Sequence, residues 1–229
     1  MLAIIGAFAV VTLILTAFGS SGSQPESSTP SGAVTLPADR PQLEWVSTVS
    51  NVRIQLPVAQ GSVTAIGFHA STNGALALKP LGRQINEGLL TRLWHKISGS
   101  SKNARPWYQL PGGSGPGTAV LDIGAPPGTD VYAPADGTIA SISATMLNGS
   151  QHGSRIDIRP AATPSVILSI SHVQPDPALA VGSAVQARTS HLGTVADIGL
   201  IERQALARHT NDNGDNVAIE VHTAPASLP

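Results

Sequence analysis

The sequence predicts a mainly β protein: an antiparallel sheet or sandwich with one or two short helices and an N-terminal apolar helix. Three observations predict it. The 229 residues include 23 glycines and 18 prolines beside many Val, Ile, Thr and Ser, a mix suited to short strands and tight turns. Apolar and polar residues alternate in short runs, as in Val52-Arg53-Ile54-Gln55-Leu56 and Asn216 to Val221, which is the period of a half-buried strand. Turn dipeptides, Asp136-Gly137 and Asn148-Gly149, punctuate those runs. They suit the two φ > 0 positions of a type I′ hairpin.

The elements follow in order. Leu2 to Phe18 carries no charge. At roughly 17 residues it sits at the short limit for a spanning helix. It reads as a signal peptide or a membrane anchor over residues 1–19, with Ala17-Phe18-Gly19 similar to the small-x-small pattern of a cleavage point. Either reading places the remainder outside the cytoplasm, secreted or anchored to the membrane. The first basic residue is Arg40, and the chain has no Cys to carry a lipoprotein anchor. Residues 20–40 are rich in Ser, Pro and Gly; they bury too little to offset their ordering entropy and form a flexible tether.

Residues 41–110 form a mixed α/β extension. Strands are expected at Val52 to Leu56, Ser62 to His69 (interrupted by Gly67), Gly74 to Leu78 and Trp107 to Leu110. Leu89, Leu90, Leu93 and Trp94 fall at helical spacing within Asn86 to Ile97. His69 and His95 lie in this segment and read as packed or surface residues. Residues 111–229 form the main domain. Its expected strands are Thr118 to Ile123, Val131 to Ala133, Thr138 to Met146, Arg155 to Arg159, Val166 to His172, Leu192 to Ile198 and Asn216 to Val221. Leu200 to His209 reads as a helix, with Leu200, Ile201, Ala205 and Leu206 on one side.

Composition narrows the function. A net charge of −1 with 12% charged residues leaves no electrostatic footprint for nucleic acid. Without cysteine, any metal site must use His, Asp or Glu. No phosphate-binding glycine loop opens a helix, since Gly112 to Gly117 precedes a strand. There is no Gly-x-Ser-x-Gly elbow.

Five stretches, in order, carry a resemblance. Leu121-Asp122-Ile123-Gly124 runs on through Gly128-Thr129-Asp130-Val131 to Ala133-Pro134-Ala135-Asp136-Gly137-Thr138-Ile139. Ile170-Ser171-His172-Val173, Val181-Gly182-Ser183-Ala184-Val185, Leu192-Gly193-Thr194-Val195 and Asn216-Val217-Ala218-Ile219-Glu220-Val221 follow. The set resembles the lysostaphin-like (LytM-type) zinc peptidoglycan endopeptidases over about Gly112 to Val221. That family places a His-x-x-x-Asp at the first stretch, Tyr-x-His-Leu at the second and His-x-His before Phe-Glu-Val at the last. The resemblance implies a catalytic zinc held by the first His, the Asp and the second His of the closing pair.

Carried over residue by residue, the match is incomplete. Asp122 retains the carboxylate ligand. Thr118 stands at the first His and Ala218 at the third ligand, and neither supplies a zinc donor; a catalytic zinc needs three protein ligands and an open position. Asn216 replaces the first His of the closing pair. His172 remains of the two supporting histidines. Strand parity agrees with this alignment: Val217, Ile219 and Val221 share the apolar face, and Asn216, Ala218 and Glu220 the other. His222 shares that parity but lies about 13 Å from Ala218 along the strand.

The expectation is therefore a degenerate member of the family, with Asp122 as vestigial metal residue and His172 as vestigial catalytic residue. It needs no cofactor, and its partner is peptidoglycan or a cell-wall hydrolase. The alternative is a zinc endopeptidase with rearranged ligands, using Asp122, His172 and one of His152, His191 or His209. A structural envelope domain is the third reading. Asn211-Asp212-Asn213-Gly214-Asp215 lacks the ligand spacing of a calcium loop and reads as a solvated turn.

Overall fold

The computed structural model describes residues 40–87, 104–147 and 149–225, all within one compact unit, Pro37–Pro229. The apolar segment Leu2 to Phe18, the tether up to residue 39, His95 and the expected helix from residue 88 onward lie outside the described residues. Among those described, no helix is long and apolar enough to cross a membrane.

The protein is mainly β. The strands are β1 (Trp45–Val49), β2 (Val52–Gln55), β3 (Ile66–His69), β4 (Lys79–Pro80), β5 (Tyr108–Gln109), β6 (Val120–Gly124), β7 (Asp130–Tyr132), β8 (Gly137–Leu147), β9 (Ser150–Pro160), β10 (Val166–Pro175), β11 (Ala184–Val185), β12 (His191–Val195) and β13 (Asn216–Thr223). A small sheet runs β2-β1-β4. A large one runs β11-β8-β9-β10-β13-β6-β3-β5, with β12 joining β10 to β7. All pairings named here are antiparallel except β3 with β5.

Burial explains why these strands hold. On β13 the alternate residues Val217, Ile219 and Val221 are fully buried. On β6 all five residues are buried, and β13 pairs with one edge and β3 with the other. One core cluster takes Val46 and Ile54 from the small sheet, and Leu56 just after it, together with Leu121, Ile123, Val217 and Ile219 from the large one. The segment before residue 111 thus shares the core of the segment after it.

Three sequence expectations differ from the structure. Asp136-Gly137 does not close a hairpin: β7 pairs with β12, while β8 starts at Gly137 opposite Pro160. The chain between them passes from one partner to another, held by Gln55 N–H to the Pro134 carbonyl and Ala161 N–H to the Asp136 carbonyl, each 2.9 Å. The second turn signal does close a hairpin, with Leu147 opposite Ser150 and Gly149 at φ 82°. Gly74 to Leu78 makes no strand, because Leu76 and Leu78 bond singly to Val221 and Thr118, which lie on different chain segments.

The third difference is Leu200 to His209, which is turn and a single 3-10 turn, Ala205–Arg208. Leu200 and Ile201 are exposed at 75% and 39%, whereas Leu206 is fully buried against Ala65 and Leu110. One deeply inserted leucine is a pin, and a helix needs a stripe of such residues.

Candidate functional site

Three adjacent strands build the floor of a cleft. Ala218 of β13 lies opposite Asp122 of β6, and Glu220 lies opposite Val120. On the other edge of β6, β3 places Gly67 opposite Asp122 and His69 opposite Val120. Residues directly opposite in an antiparallel pair share a face. His69, Asp122, Ala218 and Glu220 therefore stand on one side of the sheet.

His172 enters from β10 by a different device. The pairing of β10 with β9 shifts between Ile170 and Val173. Its pairing with β13 ends at Ser171, and that with β12 begins at Val173. At this handover His172 adopts φ 65°, a left-handed conformation that costs a non-glycine residue about 1–3 kcal/mol. Such bulges redirect single side chains out of the regular pleat.

Its ring is oriented. Nδ1 of His172 lies 2.9 Å from Oδ1 of Asn216, while Nδ2 of Asn216 donates to the Gly214 carbonyl at 2.9 Å. A carbonyl only accepts, so the Asn216 amide is fixed with its oxygen toward the imidazole. His172 then carries its proton on Nδ1, and among the described residues Nε2 meets no hydrogen-bond partner. This is the orientation of a hydrogen-bond acceptor or general base.

The ring that meets Asp122 is His69. Its Nε2 is 3.3 Å from Oδ2 of Asp122, and its Nδ1 donates to the Ala70 carbonyl at 2.7 Å. The Asp122 carboxylate raises the His69 pKa above its ordinary value; partial burial opposes this, and the Ala70 carbonyl and the charge of Glu220 add to it. Glu220 accepts from the Ser71 hydroxyl at 2.9 Å and meets His222 Nε2 at 3.1 Å.

The cleft above this floor measures about 570 Å³ and is lined by His69, Asp122, His172 and Glu220. One wall is the Ala70–Asn73 loop and the other is Glu202 to Ala205 with Arg208. The second wall is anchored: Leu206 packs over β3 and β6, where a Cβ on Gly67 or Gly124 would meet it at 3.0 or 2.7 Å. Behind it, Oδ1 of Asp215 accepts the N–H groups of Ile198 and Gly199 at 3.0 and 2.7 Å.

The family's zinc can be tested against this donor set. Thr118 donates its hydroxyl to the Leu78 carbonyl at 2.7 Å. Ala218 has no donor atom. Of the three positions only Asp122 bears a ligand, so the family's arrangement does not fit. Among the described residues, no group of three or more His, Cys, Asp or Glu side chains is placed to hold a metal ion.

The histidines proposed from sequence to complete a rearranged site are not the ones at Asp122. His191 sits between Asp176 at 2.8 Å and Asp130 at 3.3 Å. His209 stacks on Tyr108 with ring centroids 4.0 Å apart. His152 lies on β9 and is not among the cleft's lining residues. His69 was missed because sequence alone does not say which strand pairs with β6. Its one signal was position: two residues after Gly67, at the end of an alternating run.

No family model matches the chain, and no curated protein matches it. Among solved structures, the chain is similar to pseudoalterin, described as a novel M23 metalloprotease from the deep sea. That match has 15% identity and a TM-score of 0.39, covering 76% of this chain and 72% of the other. It is also similar to Helicobacter pylori Csd3, with 14% identity and a TM-score of 0.32, covering 77% of this chain and 36% of the other. Identities this low transfer no residue roles, since function resides in sites rather than folds.

Proposed function

We propose that the chain is an extracytoplasmic protein of the lysostaphin-like peptidase type whose cleft binds peptidoglycan peptide and does not cut it by the family's zinc mechanism. One observation carries the reading: Thr118 and Ala218 stand at two of the three ligand positions, while the cleft around Asp122 and His172 is intact. A polar cleft with convergent donors and acceptors is the ordinary form of a ligand site.

The residues fit binding roles. His172 presents an acceptor nitrogen, held by Asn216. Arg203 and Arg208 on one wall offer donors to carboxylates, and Glu202 on the same wall accepts from amides. Backbone groups of the Ala70–Asn73 loop border the other side. The five ordered motif matches supply the family reading and hence the ligand class. The apolar segment Leu2 to Phe18 supports export, by cleavage or by anchoring.

Sedimentation of the purified chain with insoluble peptidoglycan tests the proposal. The expected result is saturable co-sedimentation, weakened by His172→Ala, with no soluble peptide released from the wall. Release of cross-link peptides by the wild-type chain refutes it. A chain that stays in the supernatant refutes it as well.

A further inference from the structure

We propose that a second pocket, between the small sheet and the turns of the large one, binds the acetamido group of an N-acetylated amino sugar, with Gln55 as its recognition residue. The pocket shares no lining residue with the cleft, and the proposal does not rest on the function given to that cleft.

The pocket is built from two sides. On the β1–β2 ribbon Trp45 lies opposite Gln55, and residues directly opposite share a face. Arg53, two residues before Gln55, shares it too, and its Cζ stands 5.6 Å from the centre of the Trp45 ring. Facing them are Ala135 and Asp136 between β7 and β8, the Pro160–Ala162 turn after β9, and Ala187 after β11. Hydrogen bonds fix these pieces together. Gln55 N–H donates to the Pro134 carbonyl and Ala161 N–H to the Asp136 carbonyl, each at 2.9 Å. Ala187 N–H donates to the Asp136 carboxylate at 2.8 Å.

Gln55 points to a ligand. It is 7% exposed and lines the pocket, yet among the described residues its Oε1 meets no hydrogen-bond donor. Buried polar atoms are nearly always paired, so an unpaired one on a pocket wall calls for a donor from outside the protein. The same side chain carries N–H groups. A carboxamide that offers an acceptor and a donor is complemented by another amide, with its own N–H and carbonyl.

The other walls say what that amide carries. The pocket measures about 230 Å³, below the roughly 300 Å³ at which pockets for whole drug-sized ligands begin. It takes one group and leaves the rest of the ligand at the mouth. Its sides include the methyls of Ala135, Ala161, Ala162 and Ala187, which suit a methyl substituent. At the mouth Asn51, Arg53 and Asp136 are exposed. Arg53 donates, Asp136 accepts and Asn51 does both, a mixed set that suits the hydroxyls of a sugar ring better than the flank of an acetylated peptide.

Titration of N-acetylglucosamine into the purified ¹⁵N-labelled chain tests the proposal. The readouts are the Gln55 side-chain amide and the Trp45 indole N–H in ¹H–¹⁵N spectra. Saturable shifts are expected at both, with glucosamine, glucose and N-acetylalanine methylamide each binding about tenfold or more weakly. Those arms separate the acetamido group from the ring, and an amino sugar from a peptide. Gln55→Met keeps the length of the side chain and removes the amide. It should lose about tenfold or more in affinity while its Tm stays or rises, because the unpaired oxygen goes with it. Ala162 is exposed, so Ala162→Leu narrows the pocket without touching the core, and it should weaken binding in the same way. No saturable shift with N-acetylglucosamine overturns the proposal. Equal binding of glucose or of the peptide amide overturns it too, as does full affinity in folded Gln55→Met or in Ala162→Leu.

Discussion

Ala218 lies directly opposite Asp122 across the β13–β6 ladder, on the face that also carries His69. Ala218 offers no donor atom on that face. Ala218→His restores a donor there. The expected outcome is an affinity for cobalt(II) or zinc(II) about tenfold or more above wild type, because the new imidazole, Asp122 and His69 then present three donors on one face. Isothermal titration on the folded variant reads this directly, and an unchanged affinity would mean that the two strands do not present their side chains to one point.

The Asn216–His172 contact predicts a defined tautomer. Asn216→Ala removes the acceptor of the imidazole N–H and the donor to the Gly214 carbonyl. Asn216 is 1% exposed, and leaving buried polar partners unsatisfied costs about 1–3 kcal/mol. A lower Tm is expected, together with a shift of His172 from the Nδ1–H form toward a mixture of tautomers in ring ¹⁵N spectra. A variant of normal stability with an unaltered tautomer would contradict the orienting role.

Leu206 should be energetically coupled to Gly124. Leu206→Ala leaves a cavity and should cost about 2–5 kcal/mol. Gly124→Ala introduces a Cβ that would meet the Leu206 side chain at 2.7 Å and the Thr64 hydroxyl at 2.4 Å, so it also destabilises. In the double variant the overlap with Leu206 is gone, and the two losses should fall short of additive by about 0.5–3 kcal/mol. Urea unfolding of the four proteins measures the difference; strict additivity would mean that the wall is seated by something else.

Two ionisable groups set opposite pH limits. His69 has a folded pKa above its ordinary value, with Asp122 the main cause. Its contribution is complete below the unfolded pKa of about 6.5 and is lost as the pH rises through the higher folded value. In chelator, the stability gap between wild type and His69→Gln should narrow as the pH climbs past neutrality. For Asp157, burial opposes ionisation. The Arg155 guanidinium and the Ser169 and Ser141 hydroxyls outweigh it and lower the pKa. That contribution is present above the unfolded value of about 3.9 and disappears as the pH falls through the folded one. The gap to Asp157→Asn should therefore close in acid, as followed by circular dichroism at fixed temperature.

Much of the sheet was legible in the sequence because period-two alternation is a local property. Asn216 to Val221 announces β13 and even its faces, and Val166 to His172 announces most of β10. What pairs with what is not local. Nothing in Ile66-Gly67-Phe68-His69 states that this strand lies beside β6, so His69 passed for an ordinary packed residue. Asp136-Gly137 misled for the same reason: the dipeptide permits a hairpin, but the partners of β7 and β8 decide otherwise. Leu200 to His209 has helical spacing on paper. Its burial rests on Leu206 alone, inserted where Gly67 and Gly124 leave room.

The arrangement of β3 against β6 also governs how the chain can be divided. β6 is buried along its whole length, and β3 supplies the hydrogen bonds of its outer edge. A fragment beginning at residue 111 would leave that edge open beside Leu121 and Ile123, a template onto which another copy's strand can add. Cut there, the chain should self-associate into sheet-rich aggregates, whereas a cut before β1 keeps the edge capped.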